Sequence, residues 1–267
     1  MDQIYALLEQ LAAAGETPIH AAMLVFARVG GAAFLIPGFG NHMVPPRVRL
    51  VVALALTAVV WPAAYPAVQA APGLEGANTA TFVRLLTAEA LIGVLIGIGA
   101  RLIIMALQLA GSIAAQSTSI AQIFGAGVTP DPMPAIGNVL VVAALALAFS
   151  QGLHIKVAIA LIRSYEVAPA GIFPAPDQVA QWGVERVAGA FALAFGLAAP
   201  FVAAAFAYNV ALGAINRAMP SLMVAFVGAP AITAGTLLLL VLAGPPLLLH
   251  WTDKLDMALA DPMGPSP

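Results

Sequence analysis

The sequence predicts an all-α integral membrane protein. Hydrophobic residues make up 62% of its 267 residues and charged residues only 8%, whereas about a quarter of the residues of a typical soluble domain are charged. The apolar runs are repeatedly interrupted by proline, glycine and single polar side chains. Hydrocarbon cannot satisfy the backbone groups freed at such interruptions. We therefore expect about six hydrophobic helical elements arranged as broken hairpins, several of which are not simple bilayer spans.

Composition and motifs exclude several classes of function. The net charge of −2 excludes a polybasic nucleic-acid binder. Because the chain has no cysteine, it has neither disulfides nor thiolate metal sites. The histidines are scattered, and His154 has no second histidine or carboxylate at helical spacing. Common motifs of hydrolases, P-loop proteins and dinucleotide-binding enzymes do not occur. We expect neither enzymatic activity nor a metal or other cofactor.

Residues 1–16 predict an amphipathic helix ahead of the first apolar run. Asp2 and Glu9 stand where a secretory signal would carry basic residues, so a targeting role is not favoured. We expect this helix to lie on the bilayer surface or on a neighbouring helix. Four apolar side chains share its opposite face: Ile4, Leu7, Leu8 and Leu11.

Six apolar segments differ in how well they suit a bilayer, which a helix of about 20 largely apolar residues spans. The third and fifth segments are long enough, and the fourth is long enough with polar interruptions. The first carries Arg28, the second is short, and the sixth is split by Pro230 and by Pro245-Pro246. The segments lie at about residues 19–39, 48–65, 82–110, 137–163, 187–215 and 222–250.

Prolines mark the predicted helix breaks, because proline lacks a backbone N–H and its ring clashes with the preceding turn. The connections are short and rich in turn-forming residues, so we expect one integral unit over residues 1–267 with a short polar tail at 251–267. The predicted breaks are at Pro37, Pro45, Pro132, Pro200, Pro220 and Pro230.

The third segment carries two charges within apolar sequence. Between them, Gly93 and Gly97 form a G-x-x-x-G pair, which permits close helix approach. Glu89 and Arg101 lie about 18 Å apart along a helix, so they do not pair with each other. A charge within a membrane helix normally faces protein or water. We expect Arg101 to cap carbonyls or pair with an acid on a neighbour; a direct transport role is the alternative.

Polar residues gather where this segment ends and lead into a glycine-punctuated stretch. There, Gln122 and Gly125 stand among the apolar residues Ile120, Ile123 and Phe124. The pattern is typical of a re-entrant loop or pore constriction, in which apolar side chains exclude water. An ordinary helix end with a turn fits the same residues equally well.

The later segments carry polar groups that favour packing over chemistry. His154 has no partner at helical spacing, so we interpret it as a packing residue, although a proton relay through a distant partner stays open. Asn209 and Asn216 share a helical face, and Arg217 follows directly. We expect this face to form an interhelical contact through hydrogen bonds, with a hydrophilic lining as the alternative.

The order of these features resembles the FliR family of flagellar biosynthesis proteins and their counterparts in type III secretion. The resemblance covers nearly the whole chain in order, including Glu89 to Gly93 and Asp131-Pro132. Its most specific parts are Pro37-Gly38-Phe39-Gly40, Val44-Pro45-Pro46-Arg47-Val48-Arg49 and Asn216-Arg217-x-x-Pro220. The chain departs from the family pattern at Ser221-Leu222 and lacks a basic residue after Pro230.

The resemblance implies a non-enzymatic subunit of the flagellar type III export gate, in the bacterial inner membrane at the flagellar basal body. It implies assembly with FliP- and FliQ-type subunits, and other export-apparatus membrane proteins, into a helical hetero-oligomer in contact with membrane lipid. Unfolded proteins would be the exported substrates. The loop after the long middle element, near Ser117 to Gly127, would plug the closed channel.

Two other classes of function fit the sequence. A small-molecule secondary transporter would use Arg101, His154 and Asn209 as an intramembrane polar site. A purely structural assembly scaffold would need the chain for partner recruitment but not for sealing a channel.

Overall fold

The computed structural model describes residues 2–40, 44–118, 135–219 and 224–264, with side chains from residue 18 onward except at 118, 216 and 224–230. Within these ranges it consists of α-helices without strands, which confirms the all-α prediction. The helices are α1 (Asp2–Ala33), α2 (Pro46–Gln69), α3 (Thr79–Thr118), α4 (Ala135–Ser150), α5 (Leu153–Val167), α6 (Pro176–Ala218) and α7 (Val224–Ala260).

The helix ends correct several expectations. The expected short helix at 1–16 is the first half of α1, which continues through Pro18 to Ala33. Likewise, α6 continues through Pro200 and α7 spans Pro230, where we expected breaks. One proline removes a single backbone hydrogen bond, which long membrane helices tolerate where local adjustment satisfies the freed carbonyl.

Other predicted breaks lie where helices begin or end. Pro37 lies in the turn after α1, and Pro45 directly precedes α2, whose first residue is Pro46. Proline suits this position because the first helical N–H has no intrahelical partner. Pro132 and Pro220 lie outside the described residues.

The fourth apolar segment forms two helices. α4 and α5 meet at an angle of 74°. Gly152 between them has φ +80°, a left-handed conformation that glycine adopts without steric cost. The polar interruptions of the fourth segment include Gln151, His154 and Lys156, and the bend falls within residues 151–156.

Helix length and composition revise the expected set of bilayer spans. In the described ranges, four helices are long and apolar enough to cross a membrane: α2, α3, α6 and α7. α4 and α5 together could form a fifth, broken span, and Pro18–Ala33 is a shorter apolar stretch. The second and sixth segments, which we expected to be compromised, thus reach spanning length because their prolines do not end α2 or α7.

Much of the segment that we expected to be a short polar tail is helical. α7 extends to Ala260 and buries Trp251, Leu255 and Leu259, which recur every four residues on one helical face. The Trp251 indole N–H donates to the carbonyl of Ile103 at 2.8 Å. Residues 251–260 are therefore structural helix.

The chain divides into two compact units. Unit 1 comprises Met1–Arg101, Gly152–Arg186 and Asp256–Pro267. Unit 2 comprises Leu102–Gln151 and Val187–Leu255. In unit 1, α2 packs against α1 and α5.

Candidate functional site

Close packing of α1 on α3 creates the central polar cluster of unit 1. A Cβ at Gly97 would lie 2.7 Å from Leu35 Cβ, and one at Gly31 would lie 2.7 Å from the Ala90 carbonyl. A Cβ at Gly93 would collide with the backbone of Arg28. These contacts confirm the close approach predicted from Gly93 and Gly97.

A completely buried ion pair lies at this crossing. Arg28 Nε is 2.8 Å from Glu89 Oε2, and Arg28 Nη2 donates to Glu89 Oε1 at 3.1 Å. Both side chains are 0% exposed. The planar guanidinium thus meets the carboxylate through two parallel hydrogen bonds, the geometry that stabilises such pairs most.

The remaining polar atoms of the pair are also satisfied. Arg28 Nη1 donates to Ser164 Oγ at 3.0 Å, and Arg28 Nη2 donates to the Ala168 carbonyl at 3.0 Å. The Gly171 backbone N–H donates to Glu89 Oε1 at 2.8 Å. The Arg28 guanidinium carbon lies 3.7 Å from the centre of the Tyr165 ring, within cation–π range.

We call this set the Arg28 network: Arg28, Glu89, Ser164, Tyr165, the Ala168 carbonyl and the Gly171 N–H. It joins α1, α3 and α5 to the turn between α5 and α6. A buried charge is costly unless it is paired and hydrogen-bonded, and every charged atom here has a partner. The network therefore holds α1, α3 and α5 in position.

We expected Glu89 to be an intramembrane polar residue or a subunit contact, and the structure buries it completely inside unit 1. Its partner, Arg28, was missed as a site residue although it stands alone in an apolar run. The two are 61 residues apart, so no local spacing rule links them.

The other predicted polar residues lie on the surface of the described chain. Arg101, Asn209 and Arg217 are exposed, and the side chain of Asn216 lies outside the described residues. His154 is exposed as well. Of the three residues that a secondary transporter would use, Arg101 and His154 belong to unit 1 and Asn209 to unit 2.

In unit 2, the end of α3 approaches the start of α4 very closely. A Cβ at Gly111 would collide with the Gly137 backbone, and its distance to Gly137 N would be 2.6 Å. Ser112 Oγ donates to the Gln108 carbonyl at 3.0 Å within the same helix. Thr118 ends α3, and the expected plug residues Ile120, Gln122, Ile123, Phe124 and Gly125 lie outside the described residues.

Two further contacts of basic side chains were not predicted from sequence. Arg186 Nη2 donates to the carbonyls of Asp261, Pro262 and Gly264 at 2.9, 3.2 and 3.0 Å. Lys156 Nζ lies 2.7 Å from both carboxylate oxygens of Asp256. Each contact joins residues at least 75 positions apart. Within unit 1, both contacts connect the segment Gly152–Arg186 to the C-terminal segment Asp256–Pro267.

An all-helical chain with several spanning-length helices and a buried ion pair defines a polytopic membrane protein. Residues 19–258 match the family described as bacterial export proteins, family 1. The chain therefore belongs to this family, which is the FliR family that its motifs resemble. Among the described residues, no three His, Asp or Glu side chains cluster as metal ligands would.

Individual relatives agree with the family match. The chain is 30% identical over 239 residues to the flagellar biosynthetic protein FliR of Caulobacter vibrioides, covering 88% of this chain and 93% of that protein. It is 29% identical over 224 residues to FliR of Bacillus subtilis, covering 82% and 84%. It is also 30% identical over 203 residues to the Yop proteins translocation protein T of Yersinia pestis, covering 74% and 77%.

Proposed function

We propose that this protein is a non-enzymatic subunit of the flagellar type III export gate in the bacterial inner membrane, at the flagellar basal body. The observation that carries the proposal is the alignment over 93% of the length of a flagellar FliR protein. A flagellar role is favoured over an injectisome role because the alignment to the Yop translocation protein covers only 77% of that protein.

Helix length supports assembly into a structure taller than one bilayer. α3 and α6 contain 40 and 43 residues, which corresponds to about 60 Å at about 1.5 Å per residue. A bilayer core is only about 30 Å thick. Partner subunits would therefore cover parts of these helices outside the hydrocarbon.

The exposed apolar side chains of unit 2 indicate that its helices contact lipid or other protein chains. On α7, Leu238, Val241 and Leu242 are 60%, 71% and 66% exposed, and Phe206 on α6 is 70% exposed. Apolar patches of this kind mark contacts with lipid or protein. We propose that FliP- and FliQ-type subunits cover them together with membrane lipid, so that both units of the chain act within one gate.

We further propose that the loop following α3 plugs the closed channel. The close approach of Gly111 and Gly137 supports this, because it fixes both ends of the connection that carries the loop. Ile120, Ile123 and Phe124 would form the seal, since apolar constrictions exclude water and ions. The energy for export would come from elsewhere, and the gate would be passive.

The plug proposal predicts a leak. Replacing Ile120, Ile123 and Phe124 with serine should raise ion conductance of the reconstituted gate complex several-fold, and unchanged conductance would refute the assignment. The matched control replaces Val139 and Val142, two exposed apolar residues of α4, with serine. We expect the control complex to remain closed, because these side chains belong to a helix face and not to the seal.

The same preparation tests the two other classes of function. A scaffold role predicts that the serine variants assemble normally and do not leak. A secondary transporter predicts substrate uptake into liposomes by the purified chain alone, without partner subunits, and we expect no such uptake.

A further inference from the structure

A cavity of about 290 Å³ opens beside the turn between α5 and α6, within unit 1. The turn forms one wall, the first two turns of α6 form another, and Met263 after α7 forms a third. The volume lies at the lower limit of small-molecule sites, which measure about 300–1,000 Å³, so it suits a side chain of another protein. We call it the turn cavity, and its larger lining side chains are Val167, Ile172, Phe173, Gln178, Trp182 and Met263.

The wall formed by the turn is held by the Arg28 network. The Ala168 carbonyl accepts a hydrogen bond from Arg28 Nη2 at 3.0 Å, and the Gly171 N–H donates to Glu89 Oε1 at 2.8 Å. Gly171 has φ +72°, a left-handed conformation that glycine adopts without steric cost. The turn is therefore fixed at two points, and its side chains are in place before any partner binds.

The wall at Met263 is held by Arg186. The Arg186 guanidinium carbon lies 5.7 Å from the centre of the Trp182 ring, within cation–π range. A preformed cavity lowers the ordering cost of binding. Arg186 Nη2 also donates to three backbone carbonyls on both sides of Met263, those of Asp261, Pro262 and Gly264.

The mouth of the turn cavity is apolar and uncovered in the described chain. Val167, Ile172 and Phe173 are 58%, 49% and 43% exposed. Irregular backbone such as this turn does not occur exposed to hydrocarbon, so lipid acyl chains are not its cover. Large apolar side chains gathered in one short turn mark a contact with another protein.

The charges beside the cavity are acidic. Residues 166–178 and 261–264 contain no lysine or arginine, and the closest one in sequence, Arg163, lies in α5. An anionic membrane surface is therefore a poor neighbour, whereas a cationic protein segment is electrostatically complementary. Three exposed carboxylates lie one or two residues before lining residues: Glu166, Asp177 and Asp261.

We propose that the turn cavity binds a large apolar side chain from a cationic segment of another protein. The apolar side chain fills the cavity, and lysine or arginine residues beside it pair with Glu166 and Asp177. The inference goes beyond the proposed gate function, because the plug loop takes no part in it.

Photo-crosslinking in native membranes tests this docking site. A benzophenone amino acid replaces Phe173 in the full chain, and the matched control carries it in place of Ile159, an exposed residue of α5. Mass spectrometry identifies the crosslinked peptides. We expect the probe at position 173 to join a peptide of another protein in which lysine or arginine directly flanks the crosslinked side chain, and we expect the control to miss that peptide.

Charge reversal tests the acidic surroundings. Glu166→Lys/Asp177→Lys should lower the yield of the crosslink at least about fivefold, because like charges would then meet. Asp253→Lys, at an exposed position of α7, is the matched control and should leave the yield unchanged. Irradiation in about 1 M salt should also lower the yield, since salt screens exposed charges.

Two results would overturn the inference. One is a probe at position 173 that crosslinks only to lipid or to this chain itself, because no other protein then fills the cavity. The other is a protein crosslink whose yield responds neither to charge reversal nor to salt, because the partner would then not be cationic.

Discussion

The Arg28 network offers the sharpest energetic test of the fold. Replacing Glu89 with leucine leaves the Arg28 charge buried without its counter-ion and removes the acceptor of the Gly171 N–H. Removing one partner of a buried pair typically costs about 3–5 kcal/mol. We expect Glu89→Leu to lower the free energy of unfolding by about 5 kcal/mol, because the orphaned N–H adds to that cost.

Replacing both partners should be far less damaging than replacing one. In the double variant Arg28→Met/Glu89→Leu no charge is buried, and the main loss is the bonding of the Ala168 carbonyl and the Gly171 N–H. We expect a loss of about 2 kcal/mol, since each unsatisfied buried group costs about 1 kcal/mol or more. The double variant should therefore be more stable than the single variant.

Exchanging the two charges tests whether the surroundings are matched to their signs. In Arg28→Glu/Glu89→Arg, the new carboxylate would face the Ala168 carbonyl and the new guanidinium would face the Gly171 N–H. Both contacts are repulsive, so the exchange should not restore stability. Chemical unfolding of the extracted gate complex in mixed detergent micelles, followed by circular dichroism, compares the free energies of the variants. The control Glu166→Leu, at an exposed position of α5, should change it by about 0.5 kcal/mol or less. An exchanged pair as stable as the natural one would refute the reasoning.

Three smaller effects complete the set. Gly93→Ala should destabilise the protein by about 1–3 kcal/mol, because its Cβ would collide with the Arg28 backbone. The control Gly30→Ala has open space around its Cβ and should leave stability unchanged or raise it slightly. Thermal unfolding compares the two variants. Arg186→Leu should accelerate carboxypeptidase digestion of the C-terminus. Arg186→Lys should digest more slowly than Arg186→Leu, because a single nitrogen of Arg186 makes all three carbonyl contacts and the lysine ammonium can replace it. Equal digestion of the two variants would contradict this. Lys156→Met should cost at most about 1 kcal/mol in chemical unfolding, because its ion pair is partly exposed.

Composition and local pattern predict the helices of this protein well, because hydrophobic runs and turn residues act locally. The interruption at residues 151–156 appears as the bend at Gly152. The expectation that a single proline ends a helix is wrong at Pro200 and Pro230. At both positions the surrounding apolar helix is long enough to continue past the proline.

The polar contacts could be predicted only in part. That buried charges face protein follows from the cost of a charge in lipid, and it holds for Arg28 and Glu89. Which charges pair does not follow, because these two residues are 61 positions apart and meet only after α1 packs on α3. The exposure of Arg101 also depends on packing, since its sequence surroundings are as apolar as those of Glu89.

The mass of the protein extracted from its native membrane tests the central claim most directly. We propose that other subunits as well as lipid cover apolar helices such as α7. A tagged chain extracted in mild detergent should therefore run far above its own 27.1 kDa and carry FliP- and FliQ-type subunits in fixed ratio. A well-folded monomer, free of other proteins and stable in the same detergent, would contradict the account.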